Sequence, residues 1–499
     1  MTASATPPPV GTETPQFRAA ALADAINGLA RKDPLASAAV AFVPWQRNTA
    51  LLVLAAIAAA LALAPVATLT VITVVSTAGY LAMMADRILL FTRGLDASAI
   101  VTVTDADASA VPDEDLPAYT ILVPAYDEPE VVGDLIVAMT ALDYPADKLQ
   151  VLLLLEEDDD VTIAAARRAG VSEVVEVVLV PAADPRTKPK ACNYGLHFAT
   201  GDIVTIFDAE DLPDPLQLRR VVVAFSRLPA TVACIQAKLA FHNGSQNLLT
   251  GWFTADYALW FGYLLPGLMK SRSPIPLGGT SNHLRADVIA EVGAWDGFNV
   301  TEDADLGVRI AASGYSTAVL DSTTLEEANS DPINWIRQRS RWYKGYLQTW
   351  LVHMRRPART WRALGPVGTY RFTLLLAGTP LTACINMTFW SLTAAWILGQ
   401  PSVIVALFPP YIYYFSLLSL IVGNVATIYM YLVASRESGN ASLLIPSLTM
   451  PLYWVMMSVA ALKGCWQLLR NPSYWEKTFH GLSVPASSPA QGDDAGDPR

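Results

Sequence analysis

Charge is what this chain has least of. Charged residues make up 16% of its 499 residues and hydrophobic residues 53%, whereas an ordinary soluble domain is about a quarter charged. A chain built this way presents part of itself to lipid. Basic residues are short as well. A net charge of -11 leaves no broad cationic face and excludes a general nucleic-acid binder. Cysteine is sparse: Cys192, Cys234, Cys384 and Cys465 lie far apart, match no metal-ligand spacing and read as reduced or buried thiols. No basic-then-apolar leader opens the sequence. Residues 1–15 are Pro/Thr-rich and read as disordered, as does the tail from Ser488.

The apolar residues fall in blocks. From Asn48 to Ala85 there is no charged residue. A span takes about 20 residues, so this tract holds two, broken near Ala64-Pro65. Arg47, Arg87 and Arg93 flank the pair and put both its ends in the cytoplasm. Residues 372–435 and 441–462 are uncharged too, with breaks at Gly399-Gln400-Pro401, Pro409-Pro410 and Arg436–Asn440. Three or four spans fit there, and the cationic tail (Lys463, Arg470, Lys477) favours four by parity. Upstream, residues 16–32 put Leu22, Ala25, Ile26 and Leu29 on one helical face. That predicts an amphipathic helix lying on the membrane or on the soluble domain.

Between the blocks the pattern changes. Tyr119–Pro124, Gln150–Leu155, Val174–Val180, Asp202–Phe207 and Val232–Gln236 are short apolar runs separated by helical stretches. They predict an α/β sheet, mostly parallel and buried on both faces. Ligands bind at the carboxyl ends of such strands, and acids gather there: Tyr126-Asp127-Glu128, Glu156–Asp160 and Asp208-Ala209-Glu210-Asp211. Carboxylates at the end of a strand suit Mg²⁺ or Mn²⁺ bridging a diphosphate. The last cluster also fits a solvated acidic turn. Either Glu156 or Glu157 is expected to accept a nucleobase N–H, while Asp159 or Asp160 caps the helix that follows.

Further motifs follow in order. Lys188-Pro189-Lys190 puts a cation within reach of a phosphate. Gly278-Gly279-Thr280 lets the backbone approach a sugar closely or makes a tight turn. Thr301-Glu302-Asp303 opens a helix with Thr301 as its cap, and a carboxylate held there can take a proton from an acceptor hydroxyl. Gln338-Arg339-Ser340-Arg341-Trp342 lies on a helix. Arginine clamps diphosphates, and the indole offers a flat face to a sugar ring. Trp335, Trp350 and Arg355-Arg356 around it fit an interfacial belt.

Together these motifs resemble the processive family-two inverting glycosyltransferases, the group of cellulose synthase, hyaluronan synthase and bacterial exopolysaccharide synthases. The resemblance is close over residues 117–360 and extends in layout to the flanking spans. It implies an α/β GT-A domain, a mixed and mostly parallel sheet, inserted between transmembrane helices. It also implies a nucleotide-sugar donor (UDP-hexose first), Mg²⁺ or Mn²⁺, a polysaccharide acceptor and contact with membrane lipids. Export or periplasmic proteins are implied as partners, in a bacterial inner membrane with the catalytic domain cytoplasmic. It assigns Asp303, beside Glu302, as the base. Tyr126, Glu128, Glu156, Glu157, Lys190, Asp208, Gln338, Arg339 and Arg341 fall to the donor, and Trp342, Gly279 and Thr280 to the acceptor. Asp208, Glu210 and Asp211 fall to the metal. Glu156-Glu157 stands where the family usually has Asp-Asp, and Asp208-x-Glu210 where it has Asp-x-Asp.

The chain then divides into a disordered start with an amphipathic helix (1–47), two spans (48–93) and a catalytic domain (104–330). Interfacial helices carrying the Arg-Trp motif (331–370), the C-terminal spans (371–465) and an interfacial segment with a disordered tail (466–499) complete it. The competing enzymatic reading is a transferase that adds a single sugar to a lipid or lipid-linked acceptor.

Overall fold

A computed structural model of the chain describes residues 8–170, 174–472 and 474–476. The first seven residues and those from Lys477 onward, read from sequence as disordered or interfacial, lie outside the described residues.

Eight strands form one mixed sheet in the order β3-β2-β1-β4-β7-β6-β8-β5. They are β1 (Tyr119–Ala125), β2 (Leu149–Glu156), β3 (Val175–Val180), β4 (Ile203–Ile206), β5 (Leu212–Pro213), β6 (Val232–Phe241), β7 (Asn282–Arg285) and β8 (Ser316–Glu326). β1 pairs in parallel with β2 and β4, β2 with β3, and β6 with β8. β7 runs antiparallel between β4 and β6, and β5 antiparallel on β8.

Alternation explains the unbroken apolar runs. Leu122, Leu152, Leu154, Val204 and Ile206 enter one core, with Ala191 and Tyr194. Ile121, Val123, Val151, Leu153 and Leu155 enter the core on the opposite face. Both faces are covered, so most strand positions are apolar, and the few polar ones, such as Thr120 and Thr205, are buried with them. Each such apolar side chain stabilises the domain by about 1.5–3 kcal/mol. The five predicted strands are present, with β6 running on to Phe241. β5, β7 and β8 were not anticipated. β7 is four residues long and reads Asn-His-Leu-Arg, and Asp321-Ser322 interrupts the β-branched run of β8.

The helix Pro15–Lys32 packs on the soluble domain. Asn193 Nδ2 donates to the Ala25 carbonyl at 2.9 Å, and Arg18 pairs with Glu157 at 2.7 Å. The helices Pro44–Leu63 and Pro65–Gly94 follow, split at the predicted Pro65. After the sheet comes the helix Pro332–His353, here the motif helix. Then come Pro357–Gly399, the short helix Ser402–Leu407, Pro410–Glu437 and Met450–Arg470. Pro357–Gly399 kinks at Gly365 (φ 67°) ahead of Pro366.

Among the described residues, five helices are long and apolar enough to cross a membrane, two before the sheet and three after it. The last, Met450–Arg470, lies along the motif helix. Thr449 at its start accepts the Trp252 indole N–H at 2.9 Å, and the Tyr453 hydroxyl accepts from Arg339 at 2.8 Å. A side chain on Gly464 would run 2.7 Å from the Ser340 carbonyl. Beyond its end, Lys344 donates to the Tyr474 carbonyl at 2.5 Å. Both ends therefore meet the catalytic domain. Part of the uncharged tract 441–462 lies against the motif helix, and three candidate spans follow the sheet, within the three or four counted from sequence.

Candidate active site

One cavity of about 1250 Å³ runs from the carboxyl ends of β1, β2 and β4, past the motif helix, into the space between the membrane helices. Tyr126, Glu128, Glu156, Asp208, Glu210, Gly279, Thr280, Glu302, Asp303, Gln338, Arg339, Arg341 and Trp342 all line it. Glu157, Lys190 and Asp211, also named from sequence, do not.

The acids after β4 divide by role. Asp208 forms an ion pair with Lys188, whose ammonium also donates to the Gly279 carbonyl at 2.9 Å. Asp211 is tucked beneath. Its Oδ2 accepts the Asp208 N–H at 2.7 Å and the Thr280 hydroxyl. Burial, together with the charges of Asp208 and Glu210, pushes the Asp211 carboxyl well above the usual range. Asp211 therefore braces the turn, while Asp208 and Glu210 face the cavity. Among the described residues no three His, Cys, Asp or Glu side chains gather as a metal cage. A hard divalent cation still fits, since Mg²⁺ and Mn²⁺ take a few carboxylates and complete their shells with water and phosphate oxygens. Asp211 Oδ1, buried with no hydrogen-bond partner among the described residues, leaves one more oxygen beside them.

Two assignments, Glu157 after β2 and Lys190 after β3, are corrected. Lys190 is fully buried, paired with Glu156 at 2.7 Å and bonded to the Ala183 carbonyl at 3.0 Å. It balances Glu156, whose carboxyl is raised by burial against the pull of that lysine. The cation that faces the cavity is Lys188, two residues earlier and so on another side of the helical turn. Glu157 points away as well. It accepts the Ala182 N–H at 3.0 Å and holds Arg18 of the N-terminal helix. Of the two candidate caps, Asp159 performs the role, accepting Thr162 N–H at 3.1 Å and Asp127 N–H at 2.5 Å.

Asp303 opens the helix Glu302–Ala312. Thr301 occupies the cap position but makes no capping bond. It lies against Gly345 of the motif helix, where any side chain would collide with it. Asp303 Oδ1 accepts the Ala304 N–H at 2.8 Å. Its Oδ2 faces Gly279, where an added methyl would sit 3.6 Å from that oxygen and 3.8 Å from Lys188 Nζ. Gly279 is thus the open floor between Asp303 and the Lys188–Asp208 pair. Burial pushes Asp303 up to about 6, with the Ala304 N–H and Lys188 pulling the other way. Glu302 is raised too, by burial and then by the charge of Asp303. Behind them Asp305 pairs with Arg309 at 2.7 Å and His353 at 2.9 Å, fastening this helix to the motif helix.

The motif helix splits its arginines. Arg341 lies 4.3 Å from the centroid of the Trp475 ring and faces the charges of Glu302, Asp208 and Asp303. Arg339 is held elsewhere, by Asp256 at 3.1 Å and the Tyr453 hydroxyl at 2.8 Å, with its guanidinium 4.6 Å from the Trp342 centroid. It braces Trp342 and is not free to clamp a diphosphate. Gln338 Oε1 accepts from Asn329 at 3.1 Å. Four other lining residues escaped the sequence reading: Glu326 and Glu327 at the end of β8, Asp256, and Trp475 from the segment after the last helix. The strand-end rule that found Asp208 would have found Glu326, had β8 been recognised.

Carboxylates at parallel strand ends, an acid at a helix start and an Arg-Trp pair on one cavity define a GT-A type domain flanked by long apolar helices. Residues 117–345 match the family described as glycosyltransferase like family 2. It is similar to a beta-monoglucosyldiacylglycerol synthase of Synechocystis sp., 28% identical over 52% of this chain and 53% of that protein. It is also similar to the cellulose synthase 1 catalytic subunit of Komagataeibacter xylinus, 26% identical over 49% of this chain and 32% of that protein. The chain therefore spans about half, or less, of the length of these curated relatives. A solved mannosyltransferase from Pyrobaculum calidifontis, in complex with GDP-Man and Mn²⁺, aligns over 81% of this chain and 99% of its own. Its TM-score is 0.52 at 20% identity, a likeness of fold.

Proposed function

We propose that this protein is a membrane-embedded inverting glycosyltransferase that moves a hexose from a UDP-sugar to a growing β-linked polysaccharide and passes the product toward the membrane helices. One observation carries this reading. Asp208, Asp303 and Trp342 open on a single cavity that continues between the helices. There it is lined by Tyr80, Asn386, Trp390, Trp396, Tyr413 and Asn424. Rings, amides and hydroxyls without charge suit a neutral sugar chain. The arginines flanking the first two spans support a cytoplasmic sheet.

In this mechanism Asp303 takes the proton of an acceptor hydroxyl, which attacks the anomeric carbon of the donor from the opposite face in one displacement. Trp342 stacks the acceptor ring so that the hydroxyl is aimed. Arg341 and Lys188 balance the charge that develops on the departing diphosphate. Asp208 and Glu210 would hold a divalent cation, and Asp211 would fix their turn. Bound there, the cation supplies Lewis-acid charge stabilisation to the leaving group. Tyr126, Glu128 and Glu156 line the end of the cavity that would take the nucleoside.

The Synechocystis relative favours a second reading, transfer of one sugar to a diacylglycerol-like lipid seated among Leu374, Leu375 and Leu420 of the same cavity. The test is a donor panel (UDP-glucose, UDP-N-acetylglucosamine, GDP-mannose) with Mn²⁺ or Mg²⁺ in nanodiscs, followed by product sizing. A long polymer supports the first reading and a single sugar on lipid the second. No transfer from any donor removes both.

A further inference from the structure

Asp256 is a half-buried carboxylate on the cavity wall that the proposed chemistry leaves unused. It sits on the helix Leu248–Leu259, where the catalytic domain meets the membrane helices. One of its oxygens pairs with Arg339 at 3.1 Å, and the other accepts the Tyr431 hydroxyl at 3.0 Å. Tyr431 belongs to the crossing helix Pro410–Glu437 and accepts from Arg87 of the helix Pro65–Gly94 at 3.2 Å. On the other side, Arg339 stacks between Trp342 and Phe253, 4.6 and 4.9 Å from their centroids. The chain of contacts runs from two membrane helices through Asp256 and Arg339 to the indole of Trp342. Residues three apart on a helix are neighbours, but a cation fixes an aromatic face only when it is itself fixed. Asp256 supplies that constraint. Its two acceptor oxygens satisfy one donor from the catalytic domain and one from the membrane. An amide in its place would turn an N–H toward one of those donors.

We infer that Asp256 is a positioning residue. By holding Arg339 it sets the Trp342 ring as the platform for the acceptor sugar, and through Tyr431 it keeps that platform in register with the entrance to the membrane cavity. This rests on the acceptor role given to Trp342 under the proposed function.

The test uses the full chain in nanodiscs, with UDP-glucose and Mn²⁺ as donor probe and cellohexaose as acceptor probe. Asp256→Asn weakens cellohexaose binding and raises its KM by about tenfold. UDP affinity, and kcat at saturating cellohexaose, stay within about twofold. Asp256→Glu recovers most of the acceptor affinity. Tyr431→Phe keeps the ring, loses one bond to Asp256 and raises the acceptor KM by about threefold. The inference is overturned if Asp256→Asn leaves cellohexaose affinity and KM unchanged, or if UDP and cellohexaose binding fall together, which is the signature of a merely structural residue. A wild type that binds UDP but no cellohexaose removes the acceptor role of Trp342 itself. That failure is read without any variant and so is distinct from failure of the positioning role.

Discussion

The two halves of the cavity are made of opposite materials. The half against the sheet concentrates ionisable groups: Asp208, Glu210, Glu302, Asp303 and Glu326 face Lys188 and Arg341. The half between the membrane helices presents Tyr80, Asn386, Trp390, Thr393, Tyr413 and Asn424. Among the described residues, charges reappear only at its entrance, where Asp86 is paired with Arg371 at 3.1 Å and Arg87 reaches Tyr431. Transfer breaks the bond between the sugar and the departing diphosphate as a glycosidic bond forms, and the developing charge must be met by fixed charge. Moving a neutral chain requires many weak contacts and no deep well. The same space can do both only if the boundary between them is sharp. In this protein it falls at Trp342 and the Arg339–Asp256 pair.

The most damaging way to break this contrast is to neutralise the proposed base. Asp303→Asn lowers kcat by about 10³-fold while UDP binding is retained, as measured by radiolabelled transfer and calorimetry. Normal transfer in that variant would remove Asp303 from the chemistry. Asp208→Ala weakens Mn²⁺-dependent UDP-sugar binding by about 10²-fold. A metal titration as steep as that of the wild type would take Asp208 out of the cation site. Gly279→Val fills the floor between Asp303 and Lys188 and lowers kcat/KM by about tenfold or more, with a melting temperature close to that of the wild type. The pH profile sharpens the comparison. A base must be ionised, and burial pushes Asp303 up to about 6. Transfer at saturating donor is therefore level above that pH and falls about tenfold per unit below it. A profile that stays flat to pH 4.5 would contradict this. In the membrane half the effects are small. Tyr80→Phe loses bonds to the Thr382 carbonyl at 3.0 Å and Asn386 at 3.3 Å. It shortens the polymer while changing the initial rate by less than about twofold. A large loss of initial rate would mean that the two halves are not separable.

Much of this was legible in the sequence wherever one residue carries its own signal. β1, β2 and β4 announce themselves by runs that are apolar on both faces, and the acids that end them follow from strand direction alone. Direction within a turn of helix does not. Lys188 and Lys190 are equivalent in sequence, yet one meets Asp208 and the other disappears against Glu156. Arg339 and Arg341 read as one motif, but two residues on a helix are about 200° apart, which sends one to Asp256 and the other toward Asp303. Apolarity was ambiguous in a similar way. The tract 441–462 is as hydrophobic as a span, and hydropathy alone does not tell how much of it faces lipid and how much the flank of the motif helix. β7 and β8 were hidden because Asn282 and His283 are buried in β7, and Asp321 and Ser322 interrupt β8, where a pattern search expects apolar residues in alternation.

The short helix Ser402–Leu407 and the Phe408-Pro409-Pro410 turn close the end of the cavity farthest from the sheet, with Ile404, Val405 and Phe408 against its interior. Any water-filled passage through a bilayer is also a leak, and a membrane under 100 mV drives each escaping unit charge with about 2.3 kcal/mol. If the cavity carries a product across the bilayer as proposed, an oily stopper at its distal mouth would let the protein stand idle without short-circuiting the voltage on which a cell depends.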